Sequence, residues 1–270
     1  MIIQIFSTFV IGCCFGSFIN VTIHRLPIGE SIIFPSSHCP KCKCKINWYE
    51  NIPLISWLFL KGRCSKCNVK ISLIYPAIEL MTGLFFIFNN YSLHLRLAIG
   101  SDLFTMVCGW IYISILLIMA ILDIKYFWLP EAISKLGILI AIFLSVYLKI
   151  RYANLVSDFF VIETIFSALL GYLIFKFISA LGLVIYKKPA MGKGDAKLAA
   201  LIGSWLGLKG LFISIWLSFF FAGIFGLIGL ISKKINRYQK IPFGSFLSFS
   251  GLLVWYFGNN YLANLILIGR

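Results

Sequence analysis

Long apolar runs separated by short polar segments set the pattern of this chain. They fall at about 2–22, 73–90, 102–122, 132–148, 159–186, 196–208, 211–231 and 243–267. Most are close to the roughly 20 residues that a helix needs to cross a bilayer. None alternates polar and apolar at period two, so helical spans are expected rather than barrel strands. The pattern predicts an all-α polytopic membrane protein with about eight transmembrane helices. The sixth run is short and reads as a half-helix or as the second arm of a bent helix. Residues 24–72 are the one sizeable polar insert. The expected division is a first span over 1–23, the insert over 24–72 and a membrane core over 73–270. No internal repeat, low-complexity tract or long linker is visible. Gly223, Gly226 and Gly229 recur at near-helical spacing, which suits close helix packing.

Composition supports the membrane reading. The chain is 60% hydrophobic and 12% charged, whereas soluble domains are about 25% charged. The net charge of +15 raises nucleic acid as a partner, but lysine and arginine also set membrane topology. Their placement favours topology. Eight lie in the insert, Lys125 follows the third run, four lie over 187–197 and four over 232–240. The opposite side holds Arg96, Lys149, Arg151, Lys209 and Arg270. The positive-inside rule therefore puts the insert in the cytosol of a multi-pass protein of the inner (cytoplasmic) membrane, with lipid as its surroundings and no nucleic acid partner. No basic segment precedes the first run, so 2–22 is expected to stay as a span rather than be removed.

The nine acids are Glu30, Glu50, Glu79, Asp102, Asp123, Glu131, Asp158, Glu163 and Asp195. On this topology Asp123 ends the third span and Asp195 begins the sixth, both at the cytoplasmic rim. An ionisable group at such a place is costly and points to function. Two carboxylates brought together share a proton and titrate as a unit. That suits hydrolysis of a peptide: one acid takes a proton from water while the other polarises the carbonyl. Gly192 and Gly194 allow close backbone approach or positive φ beside Asp195, and the N–H groups opening the next helix suit substrate or oxyanion binding. Pro130, after Asp123, forces an extended or turned backbone before the next span. Ordinary roles fit as well: Asp195 as an N-cap, Asp123 as an end charge paired with Lys125.

Within the insert, "CPKC" at 39–42 and "CSKC" at 64–67 have the spacing of a four-thiolate zinc site. Cys39, Cys42, Cys64 and Cys67 are the candidate ligands of a structural zinc. A dithiol redox pair and unliganded thiols are the alternatives, and a cytosolic location disfavours disulfides. An insert this small has little core of its own, so a metal staple is expected. Cys44 is a spare thiol and His38 a weaker ligand candidate, while Cys13, Cys14 and Cys108 read as packing residues in spans. The aromatic and apolar stretch between the knuckles, 46–63, is expected along the membrane surface or against the spans.

Taken together these residues resemble the type IV prepilin peptidases, the bifunctional leader peptidase and N-methyltransferase family. The likeness runs through "GSFINVTIHRLP" (16–27), the cysteine insert (39–67), "YPAIELMTG" (75–83), "DIKYFWLP" (123–130), "GKGDAKLAALIGSWLG" (192–207) and "IPFGSFLSFSG" (241–251). It implies a membrane aspartic peptidase of the GxGD type serving type IV pilus or type II secretion systems. Such enzymes remove the basic leader of prepilin or pseudopilin precursors on the cytoplasmic side. They then methylate the new N-terminus with S-adenosylmethionine. Asp123 and Asp195 take the catalytic positions, and the four cysteines the metal positions. Two departures are "LPE", where Asp often follows the proline, and "FGSF", where "FGPF" is common; neither is expected to touch the aspartates. No Rossmann-type glycine fingerprint marks a methyl-donor site.

Substrate contacts are expected at Gly192, Gly194 and Glu79, with Glu30, Glu50, Glu79 and Glu131 steering the basic leader. Pairing of Glu79 with a nearby cation is its bland alternative. Two other functions compete. A proton-coupled transporter would also use membrane acids, usually near the midplane. A zinc-ribbon adaptor would need neither aspartate.

Overall fold

The computed structural model describes residues 2–96, 102–154, 156–187, 189, 191–234, 239–259 and 261–262, without the side chains of 92–96 and 186. The end of the last expected span, 263–267, lies outside these residues. So do Lys188, Arg237, Arg270 and the Arg96 side chain among the cations counted for topology.

The described residues form eight α-helices: α1 (Ile2–Arg25), α2 (Ile55–Phe59), α3 (Ile74–Arg96), α4 (Leu103–Tyr126), α5 (Glu131–Arg151), α6 (Phe160–Tyr186), α7 (Lys193–Ile231) and α8 (Phe243–Phe257). Helices α1, α4, α5, α6 and α7 are long and apolar enough to cross a membrane, and α8 is a shorter apolar helix. The sixth and seventh expected spans are the two arms of α7, which breaks at Gly207 (φ 68°, ψ −174°). That backbone suits only glycine. The break frees two polar groups, and side chains from α6 and from just beyond α8 take them up. Glu163 of α6 accepts the Leu208 N–H at 3.4 Å, and Asn259 donates to the Leu206 carbonyl at 3.1 Å.

The chain forms two compact units, Met1–His94 and Leu95–Arg270. In the first, α1 and α3 cross with their backbones nearly touching. A Cβ added at Gly12 would lie 2.7 Å from the Gly83 Cα, and one at Gly16 2.6 Å from the Glu79 Cα. Phe15 and Phe86 pack beside this crossing with ring centroids 5.3 Å apart. Asn90 ties the pair further along, donating to the Thr8 hydroxyl at 3.0 Å. In apolar surroundings such close approach and interhelical hydrogen bonds are what hold helices together.

In the second unit, the first arm of α7 is its buried centre, with Leu198, Ala199, Leu201 and Ile202 fully enclosed. Helix α6 crosses it at Gly171, where a Cβ would lie 2.6 Å from the Ala199 carbonyl oxygen. The same helix meets Gly203, where a Cβ would lie 2.4 Å from the Ser167 carbonyl oxygen. Of the stripe expected to pack on the second arm, Gly229 is buried, but Gly223 and Gly226 make no such contacts: a Cβ at Gly223 meets nothing within 4 Å, and one at Gly226 only the tip of Ile241 at 3.5 Å. Spacing alone does not say which glycine faces a neighbour. Gly203→Ala is expected to destabilise by about 1–3 kcal/mol through overpacking, seen as a lower unfolding temperature in detergent. Gly223→Ala is expected to leave that temperature unchanged or slightly raised.

Candidate functional site

Asp123 lies in the last turn of α4, the end where a helix's carbonyls already gather negative charge. The opposing element offsets this. The Ser245 N–H, in the first turn of α8, donates to Asp123 Oδ2 at 2.8 Å, and the Gly244 N–H faces the same carboxylate. Asp195 lies in the first turn of α7, the favourable end of its own helix. Its Oδ2 accepts the Gly192 N–H at 3.0 Å while its own N–H donates to the Gly192 carbonyl at 3.2 Å. Asp195 therefore reaches back over the helix start from its third position, and Gly192 is the N-cap.

The two side chains are 5% and 8% exposed, and the two carboxylates are near enough to interact electrostatically. Leu129 is the wedge that brings their elements together. A Cβ added at Gly194 would lie 2.8 Å from the Leu129 Cβ, and one at Gly244 2.8 Å from its Cδ1 and 3.1 Å from Asp123 Oδ2. Gly192 and Gly194 thus serve close approach; neither has a positive φ. Pro130 has the expected extended backbone (ψ 124°) and caps α5. Among the described residues no ion pair involves Asp123, so the Lys125 pairing is absent. The first turns of α7 and α8 both aim backbone N–H groups at one buried acidic pair.

Gly244 and Ser245 are the residues the sequence reading missed. "IPFGSF" marks the start of a span, but nothing local says which carboxylate its N–H groups will meet. The "FGSF" departure does touch an aspartate: serine supplies the 2.8 Å donor, and a proline there has no N–H to give.

Beside the pair, Glu131 at the start of α5 is bridged to Lys197 of α7 and to Lys135, the latter at 2.9 Å. Glu79 is buried and accepts the Leu54 N–H at 2.8 Å, with no described ion pair. In the insert, the Ser65 hydroxyl and the Asn47 N–H hold the Glu50 carboxyl below its usual range. Three of the four acids expected to steer a basic leader are thus already occupied; Glu30 is the exposed one left.

The insert builds the second candidate centre. The sulfurs of Cys39, Cys42, Cys64 and Cys67 all lie within 4.8 Å of one another, and those of Cys39 and Cys67 are 3.8 Å apart. A tetrahedral zinc with Zn–S bonds of about 2.3 Å places its sulfurs about 3.8 Å apart. The two knuckles repeat one backbone design. Lys43 N–H donates to the Cys39 carbonyl at 2.9 Å, and Asn68 N–H to that of Cys64 at 3.0 Å. Lys43 and Asn68 both have positive φ, and antiparallel bridges pair His38 with Lys45 and Arg63 with Lys70. The Cys42 N–H aimed at the Cys39 sulfur holds that thiol down to about 6. Close-set sulfurs with backbone donors aimed at them are suited to thiolates binding a metal. His38 and Cys44 stand outside the set.

Two family models match the chain: the Bacterial Peptidase A24 N-terminal domain over residues 10–93 and the Type IV leader peptidase family over residues 110–227. Three similar proteins carry the name prepilin leader peptidase/N-methyltransferase. That of Klebsiella pneumoniae is 38% identical over 75% of this chain and 85% of its own length. That of Stutzerimonas stutzeri is 30% identical over 97% and 93%. That of Myxococcus xanthus is 36% identical over 75% of this chain but 56% of its own length. No solved structure matches.

Proposed function

The chain belongs to the type IV leader peptidase family, enzymes with peptidase and N-methyltransferase activities, and from that premise we propose that Asp123 and Asp195 form its catalytic pair. The observation carrying this reading is the convergence of α4, α7 and α8 on two buried, interacting carboxylates, each held by backbone N–H groups. Buried acids at helix ends without ion-pair partners are expensive in a membrane protein and mark chemistry.

The pair shares one proton. The ionised carboxylate takes a proton from a water as its oxygen attacks the scissile carbonyl. The protonated partner polarises that carbonyl by donating to its oxygen, and the leaving amine then receives a proton as the C–N bond breaks. Backbone N–H groups at the start of α7, with Gly192 and Gly194 keeping the approach open, bind the substrate chain. The substrate is a prepilin or pseudopilin precursor whose apolar helix packs in the lipid, leaving its basic leader at the cytoplasmic rim. The site faces the cytosol of the inner membrane, as does the insert, and the span 1–23, insert 24–72 and core 73–270 divide these tasks.

Cys39, Cys42, Cys64 and Cys67 hold a structural zinc that fixes the insert. S-adenosylmethionine, when bound, supplies the methyl group added to the new N-terminal amine. Glu79, buried and bonded to the Leu54 N–H, is assigned to the substrate side.

The test is to incubate the purified full chain in detergent with a prepilin, with and without methyl donor, and read the products by mass spectrometry. Loss of the leader without any ion gradient, then methylation only with the donor, is expected. An intact precursor would reject the reading and return the transporter and adaptor to consideration. The single broken helix among the described residues does not favour a transporter: its break at Gly207 is met by Glu163, not by either aspartate.

A further inference from the structure

We propose that the second cysteine knuckle carries a binding site for the phosphate headgroup of an anionic phospholipid, built from Lys61, Arg63 and Lys70. Two adjoining grooves of about 510 and 480 Å³ share Lys61 and Arg63 in their walls, and Lys70 lines the second. No carboxylate lines either groove. Arg63 and Lys70 are the two partners of an antiparallel bridge, so their side chains start from directly opposed positions. Like charges so placed repel. Among the described residues none of the three is in an ion pair. The matching bridge of the first knuckle opposes His38 and Lys45, so the turn itself does not demand two permanent cations. An anion seated between Arg63 and Lys70 converts their repulsion into attraction.

The scaffold holds these groups in place. Ile71 N–H donates to the Gly62 carbonyl at 2.8 Å, and Gly62 N–H to the Trp57 carbonyl at 2.9 Å. The Trp57 indole N–H donates to the Ile71 carbonyl at 3.3 Å, and its ring lies so close to Gly62 that a Cβ there would be 2.7 Å away.

Position in the chain identifies the anion. Ser72 and Leu73 line the second groove, and Ile74 begins α3, the helix the apolar pattern reads as the second span. Among the described residues α3 is not one of the five helices long and apolar enough to cross a membrane; taken as the second span from its sequence, it puts the groove at the headgroup layer. Apolar side chains stand at its edges: Phe59, 84% exposed, in the first groove and Leu73, 68% exposed, in the second. They suit the glycerol and first methylenes of a lipid, while the cations suit its phosphate. Topology explains how many lysines lie on this side, but not why two face each other. The basic leader of the proposed substrate is repelled by the same charges, and the inference does not depend on the peptidase reading.

The experiment uses the delipidated full chain in detergent, titrated with phosphatidylglycerol or phosphatidylcholine. Bound lipid is counted by native mass spectrometry and zinc is measured in the same samples. Phosphatidylglycerol is expected to bind at least about tenfold more tightly than phosphatidylcholine. The combined Lys61→Gln, Arg63→Gln, Lys70→Gln protein should lose about tenfold of that affinity with its zinc intact, and Arg63→Gln alone about threefold. A control with Lys41→Gln, Lys43→Gln and Lys45→Gln removes the same charge from the first knuckle and should keep the affinity. Equal binding of the two lipids, or equal losses in the two triple variants, would overturn the site. Displacement of phosphatidylglycerol by inorganic phosphate at equal concentration would overturn its assignment to a lipid.

Discussion

Asp123→Asn and Asp195→Asn are each expected to lower leader cleavage by at least about 10³-fold. Asparagine keeps the size of the side chain and an oxygen that accepts the N–H of Ser245 or Gly192. The helix starts should therefore stay in place, and what disappears is the ability to exchange a proton. Both variants should remain in the membrane with their zinc and still methylate a peptide that begins at the mature N-terminus. Mass spectrometry of processed and unprocessed substrate reads the result. The double variant should be scarcely worse than either single one, because members of a catalytic unit fail together. Normal processing by either variant would leave the aspartates as caps and remove the catalytic pair.

Serine in place of Cys39, Cys42, Cys64 and Cys67 together is expected to take zinc from about one per chain to none. Binding of a structural zinc is worth about 10–16 kcal/mol in small peptides at neutral pH, far more than an insert of this size recovers from its own packing. Residues 24–72 should then become the first site of limited proteolysis. Methylation should fall more than cleavage, since the aspartates lie in the other compact unit. Cys44→Ser should change nothing, because Cys44 is exposed and outside the sulfur cluster. Zinc retained after loss of all four thiols would overturn the ligand assignment.

How much was legible differs between the two centres. The cysteine spacing stated its own geometry, because each C-x2-C is a local turn whose shape depends on few residues. That the two turns are copies, down to the positive φ at Lys43 and Asn68, has a short trace in the sequence that the reading passed over: "CPKCKCKI" (39–46) and "CSKCNVKI" (64–71) share both cysteines, Lys41 with Lys66, Lys45 with Lys70 and Ile46 with Ile71. For the aspartates, span ends and charge counts put both acids at one rim. They did not reveal that α8 would lay its first N–H groups on Asp123, or that Glu131 would be engaged by Lys197. Those contacts join residues far apart in the chain.

The apolar pattern and the cysteine spacing on their own determined that this chain is a bundle of membrane-capable helices with one insert carrying a four-cysteine cluster, because hydrophobic length and knuckle spacing act over a few residues at a time. The apolar pattern signalled a bend at the short sixth run but read that run as the second arm, whereas it is the first arm of the helix broken at Gly207. Tertiary structure alone decided which glycines let backbones meet, Gly16, Gly171 and Gly203 rather than Gly223, and which helix end balances the charge of Asp123. Both depend on which faces turn toward each other. A periodic sequence offers several faces of similar polarity, and only packing chooses among them.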